Sequence, residues 1–144
     1  MICIDTNVLL RYLLQDDDKQ AKKANALIEG KRKVLITDIV LVETLWTLKG
    51  RKYCLDRKSI LLVVEQLFKE PNIVFEDSNA VWQTLQTLTN TELTSANKKN
   101  REMDFSDVLI VEKAKRVCVR KGDEYYATYS FDQALQQLDG VMSP

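Results

Sequence analysis

The chain has 144 residues, 45% of them hydrophobic and 29% charged, with only four glycines and two prolines. That is about one domain's worth of chain, and the composition is that of a packed globule, not of a disordered or collagen-like polymer. Lys plus Arg is 21 and Asp plus Glu is 21, which argues against holding nucleic acid by bulk charge and leaves room only for a local basic patch.

Histidine is absent altogether. A Ser-His-Asp or Cys-His centre, an imidazole base and a His-ligated zinc are therefore excluded. Chemistry near neutral pH falls to carboxylates, a metal ion, Lys, Tyr or Cys. Cys3, Cys54 and Cys118 are odd in number and lack C-x-x-C spacing, so reduced thiols buried in the core are expected. No charged leader precedes an apolar stretch, and no run of about 18 apolar residues occurs, so neither a signal peptide nor a membrane span is expected. A cytoplasmic location follows from these two expectations.

Met1-Ile2-Cys3-Ile4 reads as a short strand buried on both faces. Val8 to Leu14 then forms an apolar helix. Asp16-Asp17-Asp18 opens a second helix that stops at Gly30. Val34-Leu35-Ile36 is a second strand, followed by a helix capped at Thr37-Asp38 and ending near Gly50. Asp56 opens the next helix, which ends before Pro71, and Ile73-Val74-Phe75 is a third strand. Asp77 or Ser78 caps a helix carrying Val81, Trp82, Leu85 and Leu88. Thr89 to Arg101 turns polar without a period and reads as a loop or a frayed helical end. A long helix starts at Asp104 and closes at Gly122. Tyr125 to Tyr129 is a fourth strand, Phe131 to Leu138 a last short helix, and Val141-Met142 an edge strand. Strands alternating with helices imply an α/β three-layer sandwich on a mainly parallel sheet, with residues 1–144 as one domain.

In such sheets, sites form beyond the carboxyl ends of the strands. Four acids fall in that layer: Asp5 after the first strand, Glu43 inside the helix after the second, Asp107 in the first turn of the long helix, and Asp132 after the fourth strand. Glu43 shares its helical face with Ile39, Val40, Trp46 and Thr47, and Asp107 with Met103, Ile110 and Val111. An unpaired carboxylate buried among such neighbours is costly, and a shared divalent cation removes the difficulty. Each acid also has a plainer role open to it. Asp5 suits a strand-end turn, Asp107 a capping box with Asp104, Asp132 a helix cap, and Glu43 an outward face or an ion pair. Oxygen ligands without histidine favour Mg2+ or Mn2+ over zinc. Asp5 and Asp107 are the expected primary ligands, with Glu43 and Asp132 completing or hydrogen-bonding the shell.

At these residues the sequence resembles the PIN-domain family, most closely the VapC-type toxin ribonucleases. Ile4-Asp5-Thr6-Asn7-Val8-Leu9-Leu10-Arg11 resembles the first family motif, and Thr37 through Val42-Glu43-Thr44 the second. Asp104-Phe105-Ser106-Asp107-Val108-Leu109-Ile110 resembles the third, with Asp107 at the metal-binding position. Ser130-Phe131-Asp132-Gln133-Ala134-Leu135 resembles the fourth, with Ser130 where the family usually has Thr or Ser. The Leu138-Asp139-Gly140-Val141 ending is also similar. Two departures are visible: the long polar stretch Thr89 to Arg101, and Ser130 in place of the commoner Thr. The resemblance implies metal-dependent hydrolysis of RNA phosphodiesters, a small antitoxin partner and a homodimer.

Thr6, Asn7 and Ser130 are candidates to position water or phosphate, and Arg11 to touch a phosphate or a nearby carboxylate. Lys49, Arg51 and Lys52, with Lys98, Lys99 and Arg101, are candidate rim cations for a polyanion. Two rival readings fit the residues less well. A haloacid-dehalogenase-like phosphatase needs an Asp where Asn7 stands. A non-catalytic PIN-like module that binds RNA or protein has no need for crowded acids.

Overall fold

The structure is a computed structural model and describes residues 1–94 and 103–144. The chain divides into two compact units, Met1–Ser78 and Asn79–Pro144.

The first unit runs β1 (Ile2–Cys3), α1 (Thr6–Leu14), α2 (Asp18–Ile28), β2 (Val34–Ile36), α3 (Asp38–Lys49), α4 (Arg57–Lys69) and β3 (Ile73–Phe75). The sheet order is β1-β2-β3, all parallel, with Ile2 opposite Val34 and Ile36 opposite Phe75. Each helix begins where a side chain takes up an orphan amide. Asp5, Asp17, Thr37 and Asp56 accept from the amides of Val8, Gln20, Val40 and Ser59. Gly30 follows the C-cap of α2 at a place where only glycine fits, since a Cβ there would lie 2.8 Å from the Ala26 carbonyl oxygen. The Asn72 amide then ties that end to β3 by donating to the Ile28 and Gly30 carbonyls at 3.1 and 2.6 Å. The core holds Leu9, Ile28, Val34, Ile36, Leu41, Leu48, Val64 and Leu67, all essentially fully buried.

The second unit holds α5 (Ser78–Thr94), which begins at the division, then α6 (Phe105–Arg120), β4 (Thr128–Tyr129), a 3-10 turn (Leu135–Gln137) and β5 (Val141–Met142). Strands β4 and β5 pair in parallel, Thr128 opposite Val141. Val81, Leu88, Val108 and Val111 are fully buried here, with Thr84 among them satisfying its hydroxyl on the Ala80 carbonyl at 2.8 Å. The Tyr125 hydroxyl lies 2.8 Å from the Gly140 carbonyl and 2.9 Å from the Thr128 hydroxyl, bracing the β4–β5 pair.

The α/β class and the parallel pairing agree with the sequence pattern, and helix α1 to strand β3 fall where expected. Three expectations differ. The fourth strand is shorter than Tyr125–Tyr129, because Tyr125 turns its hydroxyl onto the next strand instead of entering the ladder. Phe131–Leu138 yields only the 3-10 turn, since Ser130 and Asp132 side chains accept the amides of Asp132 and Ala134 and hold a turn there. The cysteines are free but not core residues: Cys3 and Cys54 are exposed and Cys118 is half-buried. Thr89 to Thr94 continues α5, while residues 95–102, with Lys98, Lys99 and Arg101, lie outside the described residues. Among the described residues no helix is long and apolar enough to cross a membrane.

Candidate active site

Asp5 stands at the end of β1 and caps α1, its Oδ1 accepting the Val8 amide at 2.9 Å. The next residue, Thr6, donates its hydroxyl to Glu43 Oε2 at 2.6 Å, across 37 positions of sequence. That bond joins the start of α1, just past β1, to the middle of α3. Asn7 is exposed beside them.

Glu43 itself is exposed, not buried as its neighbours suggested. Helix α3 carries apolar residues on all sides, so composition alone gives no orientation. The helix buries Leu41, Thr44, Leu45 and Leu48 and leaves Ile39, Glu43, Trp46 and Thr47 on the open side. The desolvation argument for Glu43 therefore does not hold.

Asp107 is half-buried and forms the capping box, with Asp107 Oδ2 accepting the Asp104 amide at 3.2 Å. Of its apolar neighbours, Met103 and Val111 are buried and Ile110 is exposed. Asp132, also half-buried, accepts the Ala134 amide on Oδ1 at 2.9 Å, and Ser130 Oγ accepts the Asp132 amide at 3.0 Å. Asp5 and Glu43 thus belong to the first unit, Asp107 and Asp132 to the second. Among the described residues no group of three or more His, Cys, Asp or Glu is placed to hold a metal ion.

Arg11 is committed to α2's start. Its Nη1 pairs with Asp16 Oδ1 at 2.5 Å and its Nε donates to Gln20 Oε1 at 2.9 Å. The bond to Asp16 raises the guanidinium's pKa and holds the carboxyl below the usual carboxylate range. Arg11 thus meets a carboxylate, that of Asp16. One acid at the sheet end was missed from sequence. Glu76, directly after β3, accepts the Asp38 amide on Oε2 at 3.1 Å and so helps start α3. Its position one residue past a strand, like Asp5, was the available signal.

The PIN domain model matches residues 2–139, and the chain belongs to that family. Comparison with curated proteins returned no match. Among solved structures the chain is similar to Mycobacterium tuberculosis VapC20, described as a Sarcin-Ricin loop cleaving toxin. That match has 17% identity, covers 100% of both chains and has a TM-score of 0.40.

Proposed function

We propose that this PIN-family chain is a divalent-metal-dependent endoribonuclease, the toxin of a VapC-type toxin–antitoxin pair. The carrying observation is how its four motif acids are held. One oxygen each of Asp5, Glu43, Asp107 and Asp132 accepts a hydrogen bond from Val8, Thr6, Asp104 and Ala134 respectively. Carboxylates that ligate metals are characteristically steadied in this way, with the second oxygen left to the ion. The donor set is all oxygen and suits Mg2+ or Mn2+.

On this reading Asp5 and Asp107 are the primary ligands, with Glu43 and Asp132 in supporting roles. A bound cation would supply a more acidic water and charge stabilisation at the phosphoryl oxygens. The chain's own part is to hold those carboxylates still. The Val8 amide fixes Asp5, the Thr6 hydroxyl turns Glu43, and Ser130 and the Ala134 amide fix the turn that carries Asp132. The same reading makes RNA the substrate. It also gives the chain a cytoplasmic location, a homodimeric state and an antitoxin that offers Arg or Lys to these acids.

The test is RNA cleavage by the purified chain with Mn2+ or with chelator. The expected outcome is metal-dependent cleavage that falls on the order of 10²-fold or more in Asp5→Asn and in Asp107→Asn. Mn2+ should also raise the melting temperature of the native chain and not that of Asp5→Asn. Cleavage at the native rate in either variant defeats the assignment.

A further inference from the structure

We propose that a cavity at the carboxyl-terminal ends of α1, α2 and α4 binds a small organic dication, two ammonium groups joined by a few methylenes. The cavity lies wholly within the first unit, and the inference stands apart from the nuclease reading.

Tyr12 and Leu13 line the cavity from the last turn of α1, Glu29 from the end of α2, and Leu67 and Glu70 from the end of α4. Helix carboxyl ends carry negative partial charge, and cations are the residues that suit them. Here the opposite is found. Glu29 and Glu70 are themselves the C-caps of α2 and α4, and no Lys or Arg lines the cavity. The cations of these helix ends are engaged elsewhere, Arg11 with Asp16 and Lys69 with Glu65 at 2.9 Å. Both carboxylates act on one phenol. Burial, then the hydrogen bond to Glu70 and the charges of Glu70 and Glu29, raises the pKa of Tyr12.

The shape and lining of the cavity select the kind of cation. Its volume is about 320 Å³, at the small end for small-molecule sites. A bare metal ion is a poor fit, since hard cations take six or more oxygen ligands. Two carboxylates do not supply that set, and Leu13 and the fully buried Leu67 give the lining an apolar part. Methylenes suit that part, and an ammonium at each end answers one carboxylate. The cavity is also formed in advance. The Gln15 amide donates to the Tyr12 carbonyl at 2.6 Å and to Asn25 Oδ1 at 2.9 Å, and accepts from Asn25 at 3.2 Å. Those bonds tie the end of α1 to α2, so a ligand has little left to order.

The experiment titrates 1,4-diaminobutane into the full chain by calorimetry at low ionic strength, where charge pairing is least screened. Saturable one-to-one binding is expected, with a melting temperature that rises as the diamine is added. Glu29→Gln and Glu70→Gln should each bind it about 5- to 10-fold more weakly. Neither free variant should melt below the native chain, because each loses a negative charge from a helix carboxyl end. Tyr12→Phe keeps both carboxylates and should retain binding. Glu124→Gln removes the same charge from the second unit and should bind as the native chain does, as should Asp5→Asn. Absence of saturable binding overturns the proposal, and so does native affinity in the Glu29→Gln, Glu70→Gln double variant. Equal binding of ammonium chloride or butylamine would also overturn it, since the second ammonium would then contribute nothing. A loss in Asp5→Asn matching that in Glu29→Gln would place the diamine on the motif acids instead. RNA cleavage is measured separately, so neither result stands in for the other.

Discussion

The two units differ in one acid: the first holds Asp5 locally, through the Val8 amide, and Glu43 from a distance, whereas the second holds both of its acids locally. In the first, Glu43 is oriented by Thr6, 37 residues away, so its direction depends on β1 and α3 being packed together. In the second, Asp107 and Asp132 are oriented by neighbours two or three residues off, within a capping box and a turn. A carboxylate held locally keeps its direction as long as its own turn survives. One held across the fold reports on the packing of the whole unit.

The sharpest break of that contrast is at Gly140, where the locally built second unit depends on a distant approach. Its φ is +79°, and an added Cβ would sit 2.9 Å from the Tyr125 ring. Gly140→Ala is expected to cost about 1–3 kcal/mol in chemical denaturation, through backbone strain and the clash. A cost below a few tenths would show that the β4–β5 pair tolerates the shift.

Thr6→Val removes the long-range hydrogen bond while keeping the side chain's volume. Its expected effect is a loss of roughly 10–100-fold in metal-dependent cleavage or in metal affinity, with the fold intact by circular dichroism. Ser130→Ala is the local counterpart. It loses one hydrogen bond and should cost only about 0.5–1.5 kcal/mol of stability. Equal effects on activity from both would erase the distinction between the two ways of holding an acid.

The smallest effects are those of pH. Asp16 sits below the usual carboxylate range through its bond to Arg11, and Asp56 through its bonds to Ser59. Their contribution to stability is present above the unfolded-state value of about 4, and is lost as pH falls through the lower folded values. Tyr12 runs the other way. Burial, then its hydrogen bond to Glu70, raises its pKa, so its contribution is present below about pH 10 and is lost as pH climbs beyond that. With no histidine to titrate, melting temperature should be flat between about pH 5 and 9. A step near neutrality would point to a group shifted into that range.

Helix starts were legible because capping is local: Asp17, Thr37, Asp56 and Asp104 stand where their sequence neighbourhoods place them. Strands β2 and β3 were legible as bounded apolar runs. The last helix was overread, because apolar spacing from Phe131 to Leu138 could not show that Ser130 and Asp132 would hold the backbone in a turn. The candidate acids were legible as types at strand ends, a criterion that Glu76, directly after β3, also meets.

Residue order alone therefore decided where helices α1 to α4 and α6 start, strands β2 and β3, and which acids stand near their ends, since these follow from forces acting within a few residues. Which way each side chain faces was left to the packed units. Apolar residues lie on every side of α3, so only the burial of its Leu41 and Leu48 in the packed unit turned Glu43 and Trp46 outward. The Thr6–Glu43 bond likewise formed only once two distant segments had been brought side by side.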